Sequence, residues 1–205
     1  MFRSRQLSSI VEIGSMRTDL THPLAEVDAR CCGDGHSSLY WAMETDDFVT
    51  VDVHFAAAIT AGKAIKRVLG KFVTVVCMDG IEFLSLYDKP IDLLFLDAWD
   101  AYLPMSAERH LEAFEAAERQ LHPRSLVLID DTDINFNADG TVEDAEAGLP
   151  GGKGSVLVPY MLAHEWTVLF GGRQTMLALS PTEHEIRLAA KALHDGLENV
   201  REQII

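Results

Sequence analysis

The sequence has few of the features that would place it outside the ordinary globular classes. Its three cysteines, Cys31, Cys32 and Cys77, are too few and too unevenly spaced for a disulfide framework. Its apolar runs stop at about six residues, far short of the roughly 20 that cross a bilayer, and no apolar signal segment follows the first charged residues. Only 17 basic residues stand against 32 acidic ones, a net charge of −15. These absences predict a cytoplasmic protein with no membrane or nucleic-acid partner.

Short apolar runs alternate with helix-like stretches along the first two thirds of the 205 residues. The runs are apolar almost throughout, which is typical of parallel strands covered by helices on both faces. They cover residues 10–13, 48–51, 72–77, 91–96 and 126–129. Apolar residues at helical spacing lie between them, for example from Phe55 to Leu69. The alternation predicts one doubly wound α/β domain over residues 1–205.

The last third of the sequence has a different pattern. Residues 132–154, rich in Asn, Asp, Gly and Pro, predict a long loop, and residues 155–164 a short helix. Residues 166–170 and 174–179 flank a pair of glycines, which predicts a β-hairpin. The expected sheet is therefore seven-stranded and mainly parallel, with a C-terminal antiparallel hairpin.

Residues that directly follow the apolar runs are candidates for ligand binding, because doubly wound sheets bind ligands at the carboxyl ends of their strands. Gly14 ends the first run and allows close approach of a ligand to the backbone. Asp52 ends the second, where it accepts hydrogen bonds from a ribose diol or caps the next helix. Asp79 follows the third, where it accepts from an adenine amino group or caps a helix, and these two roles can coexist.

Two glycine-rich segments have weaker signals. Residues 33–38 predict a turn into a helix N-terminus, which either favours an anionic ligand group or is simply a turn. Residues 151–155, with the sequence GGKGS, lack the residue order of a phosphate-binding loop and follow no buried strand. They predict a flexible loop around Lys153, with the alternative that this lysine places a cation near an anionic substrate.

Three aspartates form the sharpest pattern. Asp97 ends the fourth run, and Asp130 and Asp131 end the fifth. These strands are expected to be neighbours, and three adjacent carboxylates cannot all stay ionised without a cation, protonation or much water. A Mg²⁺ ion that also binds water and substrate oxygens would resolve the repulsion. The alternative is that Asp130 and Asp131 cap a turn while Asp97 faces solvent.

These segments resemble class I S-adenosylmethionine-dependent methyltransferases, in particular the small metal-dependent O-methyltransferases. Residues 91–104, IDLLFLDAWDAYLP, are similar to the catechol O-methyltransferase segment that supplies a metal-binding aspartate. Residues 127–131, VLIDD, are similar to the second metal-binding segment, with the Asp-Asp pair of macrocin-type enzymes. Residues 12–14 and 35–37 are similar to the two halves of the first cofactor motif, and the likeness extends over residues 10–179.

The resemblance implies a Rossmann-like methyltransferase fold, the cofactor S-adenosylmethionine and a role for each matching residue. Trp99 would pack on adenine, and Ser37 would bind the methionine carboxylate. The expected cofactor-binding residues are Glu12, Gly14, Ser15, Gly35, His36, Ser37, Asp52, Asp79 and Trp99. The expected ligands of Mg²⁺ or a similar divalent cation are Asp97, Asp130 and Asp131. Asp97 or Asp100, ahead of His36 or His54, would take the proton of a small-molecule hydroxyl that is methylated.

Three departures from the family pattern bear on function. An insert at about residues 16–32 splits the first cofactor motif, Asp100 stands where catechol enzymes have a catalytic lysine, and few residues precede the first strand. The insert, the 132–154 loop or the second subunit of a homodimer would have to cover the substrate. A cofactor-binding accessory protein without methyl transfer is the alternative, whereas a nicotinamide enzyme would want Gly-x-Gly-x-x-Gly after the first strand.

Overall fold

The computed structural model describes residues 5, 7–17, 36–137, 141–146 and 150–191. Its strands are β1 (Ser9–Ile13), β2 (Asp47–Asp52), β3 (Thr74–Cys77), β4 (Ile91–Leu96), β5 (Leu121–Ile129), β6 (Ile134–Phe136), β7 (Val142–Asp144), β8 (Thr167–Phe170) and β9 (Thr175–Ala178). Its helices are α1 (Ser37–Glu44), α2 (Phe55–Leu69), α3 (Gly80–Leu86), α4 (Ser106–Ala117), α5 (Leu157–Ala163) and α6, which is described over residues 183–191. None of these described helices is long and apolar enough to cross a membrane.

Seven strands form one sheet in the order β3-β2-β1-β4-β5-β9-β8. The first five strands pair in parallel, and β9 runs antiparallel to both β5 and β8. This arrangement confirms the predicted doubly wound, mainly parallel sheet with a C-terminal antiparallel hairpin. The chain moves outward from β1 to β3 and then returns to β4 on the other side of β1, so the strand order reverses between β1 and β4.

The core consists of two apolar layers, one on each face of the sheet. Alternate residues of a strand enter different layers: Leu94 and Leu96 pack with α3, α4 and α5, whereas Leu93 and Phe95 pack with α1 and α2. Burial on both faces explains why the central strands are apolar almost throughout. It also leaves polar side chains to gather where the strands end.

The segment of residues 132–154 corrects one prediction, because it is not an unstructured loop. Strands β6 and β7 within it pair antiparallel, with Ile134 opposite Asp144. A 3₁₀ turn, Gly152–Gly154, follows them. The hairpin escaped prediction because β7 is exposed and β6 only half-buried, so neither shows the apolar alternation of a packed strand.

Strand β5 also begins earlier than predicted, at Leu121, and includes Pro123. Its pairing with β4 shifts between the pairs Ile91–Leu121 and Leu93–Leu126, which marks an irregularity in the ladder. Proline lacks the N–H that a regular ladder needs, and it is tolerated at such irregular positions. Residues 126–129 form the regular, buried part of the strand, which is why the sequence pattern is confined to them.

Candidate functional site

A cavity of about 340 Å³ opens at the carboxyl ends of β1, β2, β4 and β5. It includes the point between β1 and β4 where the strand order reverses, the usual ligand position in doubly wound sheets. Its lining includes nine of the predicted site residues: Gly14, Ser15, Asp52, Asp79, Asp97, Trp99, Asp100, Asp130 and Asp131. Glu12, His36 and Ser37 are not part of the lining, and Gly35, like residues 18–32 of the predicted insert, lies outside the described residues.

Gly14 is the residue at which β1 leaves the sheet. Its φ is +99°, and its N–H donates to the Val51 carbonyl at 2.8 Å. A Cβ atom at this position would lie 2.5 Å from the carbonyl oxygen of Asp97. Glycine is therefore required here both by its backbone conformation and by the close approach of the β1 and β4 ends.

Glu12 lies beneath the cavity and not in its wall. Its carboxylate is fully buried and accepts hydrogen bonds from the hydroxyls of Ser37 at 2.7 Å, Ser38 at 2.5 Å and Thr50 at 2.6 Å. Burial raises the pKa of Glu12 to about 7, although the three hydroxyls act to lower it. Ser38 also accepts from the N–H of Met16, so this cluster fastens the chain that leaves β1 to the first turn of α1.

Asp52 stands at the end of β2 with both carboxylate oxygens in use. Oδ2 accepts from the N–H of Ser15 at 3.0 Å, and Oδ1 accepts from the N–H of His54 at 2.7 Å. Each carboxylate oxygen can accept more than one hydrogen bond. The side chain therefore joins the ends of β1 and β2 and retains acceptor capacity toward the cavity that it lines.

Asp79 and Trp99 line the part of the cavity next to α3. Asp79 is the N-cap of this helix, since its Oδ1 accepts from the N–H groups of Ile81 at 2.9 Å and Glu82 at 3.1 Å. Trp99 has a φ of +47° and packs edge-on against His110, with ring centroids 5.3 Å apart. Asp79 therefore has its expected capping role. Its expected hydrogen bond with the adenine amino group stays a prediction, as does the packing of Trp99 on adenine.

The three aspartates predicted to lie together form what we call the acidic cluster: Asp97, Asp130 and Asp131. Each offers a carboxylate oxygen, and these atoms lie within 4.8 Å of one another. The end of β4 supplies the first and the end of β5 the other two, with Asp131 at a φ of +48°. Burial raises the pKa of Asp97 to about 7; the charge of Lys153 opposes this effect, and those of Asp130 and Asp131 add to it.

Lys153 corrects a second prediction. Its side chain is not part of a flexible loop but is 1% exposed, with Nζ 2.7 Å from Asp97 Oδ1 and 3.1 Å from Asp131 Oδ2. Burial acts to lower the pKa of Lys153, but the charges of Asp97 and Asp131 raise it above its ordinary value. The ammonium group is thus ionised and bridges two of the three carboxylates.

Two consecutive residues before β9 complete the environment of the acidic cluster. Arg173 places a guanidinium nitrogen 3.2 Å from Asp131 Oδ1, and Gln174 donates from its amide to Asp130 Oδ1 at 2.7 Å. The sequence pattern predicts neither residue at the site. The turn between β8 and β9 brings them there because β9 pairs with β5, which carries Asp130 and Asp131 at its end.

Asp100, the other predicted proton acceptor, lies at the outer part of the cavity. Its carboxylate is bonded to the Arg17 guanidinium at 3.1 and 3.2 Å and accepts from the Tyr102 hydroxyl at 2.9 Å. Asp97 and Asp100 therefore differ in environment: the first faces a buried ammonium, the second an exposed guanidinium. Of the two histidines that are alternative proton acceptors, His54 lines the cavity and His36 does not.

No protein-family model and no curated protein matches the sequence. Solved structures do share the fold. The N-methyltransferase NodS from Bradyrhizobium japonicum WM9 superposes with a TM-score of 0.54 at 14% identity, covering 88% of this chain and 90% of its own. SMU.1697c from Streptococcus mutans, a proposed methyltransferase in complex with SAH, gives 0.53 at 13% identity over 85% and 92%. An rRNA methylase from Streptococcus thermophilus gives 0.53 at 12% identity over 87% and 95%.

These likenesses define the class of fold to which the chain belongs. The seven-stranded sheet with its inserted antiparallel strand is the Rossmann-like methyltransferase fold. The identities are all low, and the similar proteins include an N-methyltransferase and an rRNA methylase. The function of this chain therefore has to be argued from the residues around the cavity.

Proposed function

We propose that this chain is an S-adenosylmethionine-dependent methyltransferase that methylates a hydroxyl group of a small molecule. The proposal rests on one observation. The same cavity is lined by Gly14, Asp52 and Trp99 and by the acidic cluster. At about 340 Å³ its volume falls within the usual range for small-molecule sites. The SAH-bound neighbour with the same fold supports the choice of cofactor.

The residues around the cavity fit the parts of this cofactor. Gly14 leaves the backbone accessible at the end of β1, Asp52 has acceptor capacity for a ribose hydroxyl, and Trp99 offers an aromatic surface beside Asp79. A Cβ at Gly80 would collide with Ile13, so glycine is also required where α3 begins, next to the Trp99 ring. With the cofactor bound to these residues, the acidic cluster would lie beside the methyl acceptor.

S-adenosylmethionine, when bound, supplies a methyl group on a sulfonium. As the new oxygen–methyl bond forms and the sulfur–methyl bond breaks, the hydroxyl proton must leave, and Asp97 or Asp100 would accept it. Asp97 suits this role, because its raised pKa of about 7 lets its carboxylate hold a proton near neutral pH. The remaining contribution of the chain is alignment, because an in-line displacement needs little else from the protein.

A small acceptor is favoured over a nucleic acid by charge. The chain has a net charge of −15, and the acceptor end of the cavity carries three carboxylates against the cations of Lys153 and Arg173. A phosphate backbone would be repelled from such a surface. The rRNA methylase neighbour shares the fold at 12% identity, which does not extend to its substrate.

The expected Mg²⁺ ion does not fit the acidic cluster as it is arranged. The spacing of the carboxylate oxygens suits a divalent ion, but Lys153 already bridges Asp97 and Asp131, so an ion bound to both would have to displace a buried ammonium. The proposed proton transfer therefore uses only residues of the chain itself. Metal dependence stays a prediction from the sequence.

Calorimetry with S-adenosylhomocysteine, followed by a methyl-transfer assay on a panel of catechols, sugars and other vicinal diols, tests the proposed function. We expect saturable binding that is weakened in Asp52→Ala, and methylated product from at least one hydroxyl compound. Binding without product on any acceptor would instead support a cofactor-binding accessory protein. Absence of binding would refute both functions.

A further inference from the structure

Lys153 is a buried charged group at the cavity that the proposed proton transfer does not use. It lies 56 residues from its partner Asp97 in sequence, in the 3₁₀ turn that follows the β6–β7 hairpin. The turn is fastened to the end of β5 by the N–H of Lys153, which donates to the Asp131 carbonyl at 3.3 Å, and by that of Gly151, which donates to the Thr132 carbonyl at 2.8 Å. Backbone and side chain therefore both hold Lys153 against the acidic cluster.

The glycines on either side of Lys153 are required by this close approach. Gly152 has a φ of +45°, and a Cβ there would collide with the Asp131 carbonyl oxygen. A Cβ at Gly154 would lie 2.8 Å from the Thr132 side chain. Any residue with a Cβ at these two positions would push the turn away from β5 and withdraw the ammonium group. The Gly-Lys-Gly sequence therefore lets Lys153 lie against the acidic cluster.

The charges near the acidic cluster already match a sulfonium cofactor without a metal. Three carboxylates with the cations of Lys153 and Arg173 leave one net negative charge. A divalent ion added to this set would leave one net positive charge beside a positive sulfonium. Like charges within one partly buried cavity repel each other strongly, so a metal would oppose binding of the cofactor.

We infer that Lys153 is the resident cation of the acidic cluster, in place of a divalent metal ion, and that its ammonium group binds the acceptor oxygen of the substrate. The second part rests on the proposed function. An ammonium group has three N–H donors. Asp97 accepts one at 2.7 Å and Asp131 is an ion-pair partner at 3.1 Å. The substrate oxygen would accept a remaining N–H in the cavity that Lys153 lines. Lys153 then stabilises negative charge on that oxygen while Asp97 takes its proton.

A metal titration tests the inference without relying on activity. The protein is freed of metal with a chelator and titrated with Mn²⁺ by calorimetry and by the paramagnetic resonance of the free ion. We expect no saturable binding to wild type below millimolar Mn²⁺. We expect Lys153→Met to bind roughly tenfold to a hundredfold more tightly, the scale on which neighbours of a metal site change affinity. Lys153→Arg, which keeps the charge, and Lys63→Met, at an exposed lysine of α2, should behave like wild type.

Two results would overturn the inference. One is micromolar Mn²⁺ binding by wild type that Asp130→Asn removes. The other is a folded Lys153→Met protein with no gain in affinity. If Lys153→Met does not fold, the wild-type and Asp130→Asn titrations still decide. S-adenosylhomocysteine is titrated into the same samples, so that failure of the proposed function, seen as absent binding to wild type, is separate from the Mn²⁺ result.

Discussion

The buried Glu12 near the end of β1 should make the free energy of unfolding depend on pH. The carboxyl group is fully buried and its pKa is raised from 4.5 to about 7, chiefly by burial. The folded state therefore holds this proton more tightly than the unfolded state does. The stability that results is fully present below pH 4.5 and is lost as the pH rises through about 7. At about 1.36 kcal/mol per pH unit, the loss amounts to about 3 kcal/mol.

The substitution Glu12→Gln should remove this loss. Glutamine has the same shape and stays neutral, and the hydroxyls of Ser37, Ser38 and Thr50 can turn to accept from its amide. We expect wild type and variant to be similarly stable at pH 5. At pH 8 the variant should be more stable by about 3 kcal/mol, the free energy of ionising the buried carboxyl group.

Urea unfolding of both proteins at intervals from pH 5 to pH 8 measures the difference. Taking the difference between the two proteins removes the contribution of all other titrating groups. Glu82→Gln, at an exposed glutamate of α3, controls for the loss of one negative charge from an acidic chain. Parallel stability curves for wild type and Glu12→Gln would refute the reasoning, as would a variant that loses stability relative to wild type as the pH rises.

Three further substitutions have effects that the contacts define. Gly14→Ala should lower stability by about 2 kcal/mol or more, measured by urea unfolding, because the new Cβ meets Asp97 at a positive φ; a normal midpoint would contradict this. Asp52→Ala should weaken S-adenosylhomocysteine binding by roughly tenfold to a hundredfold in calorimetry, and an unchanged affinity would remove Asp52 from the binding site. Glu185→Gln should cost roughly 3 kcal/mol of unfolding free energy, because it leaves the buried Arg5 guanidinium without its 2.5 Å ionic partner; a change within experimental error would show that the pair adds nothing.

The parallel core of the sheet could be predicted because its strands carry their own signal. The regular part of β5 is apolar without interruption, and residues 91–96 are apolar except for Asp92, a pattern that few structures other than a doubly covered sheet require. The β6–β7 hairpin does not require an apolar sequence, since Val142 and its neighbours in β7 face solvent. Apolar periodicity in a sequence reflects burial, so an exposed hairpin produces no recognisable pattern.

The acidic cluster could be predicted for a related reason. The order of strands in a doubly wound sheet fixes which strand ends are neighbours, so Asp97 and Asp130 follow from topology alone. Arg173 and Gln174 depend instead on where the final hairpin joins the sheet. Their approach to the acidic cluster follows from the pairing of β9 with β5, and no local pattern in the sequence specifies that pairing.

The buried position of Lys153 also has a physical explanation. Residues 151–155 lack the order of a phosphate-binding loop and therefore predict a flexible loop, but glycine has a second use, which is to let two chain segments approach where a Cβ would collide. Gly152 has this second use against the Asp131 carbonyl, and a Cβ at Gly154 would collide with the Thr132 side chain. The carboxylates at the ends of β4 and β5 required a nearby cation, and a lysine between two glycines could be brought close enough to supply it. A covalently attached cation is present at every metal concentration and cannot be chelated, so the acidic cluster keeps its charge balance whatever ions surround the protein.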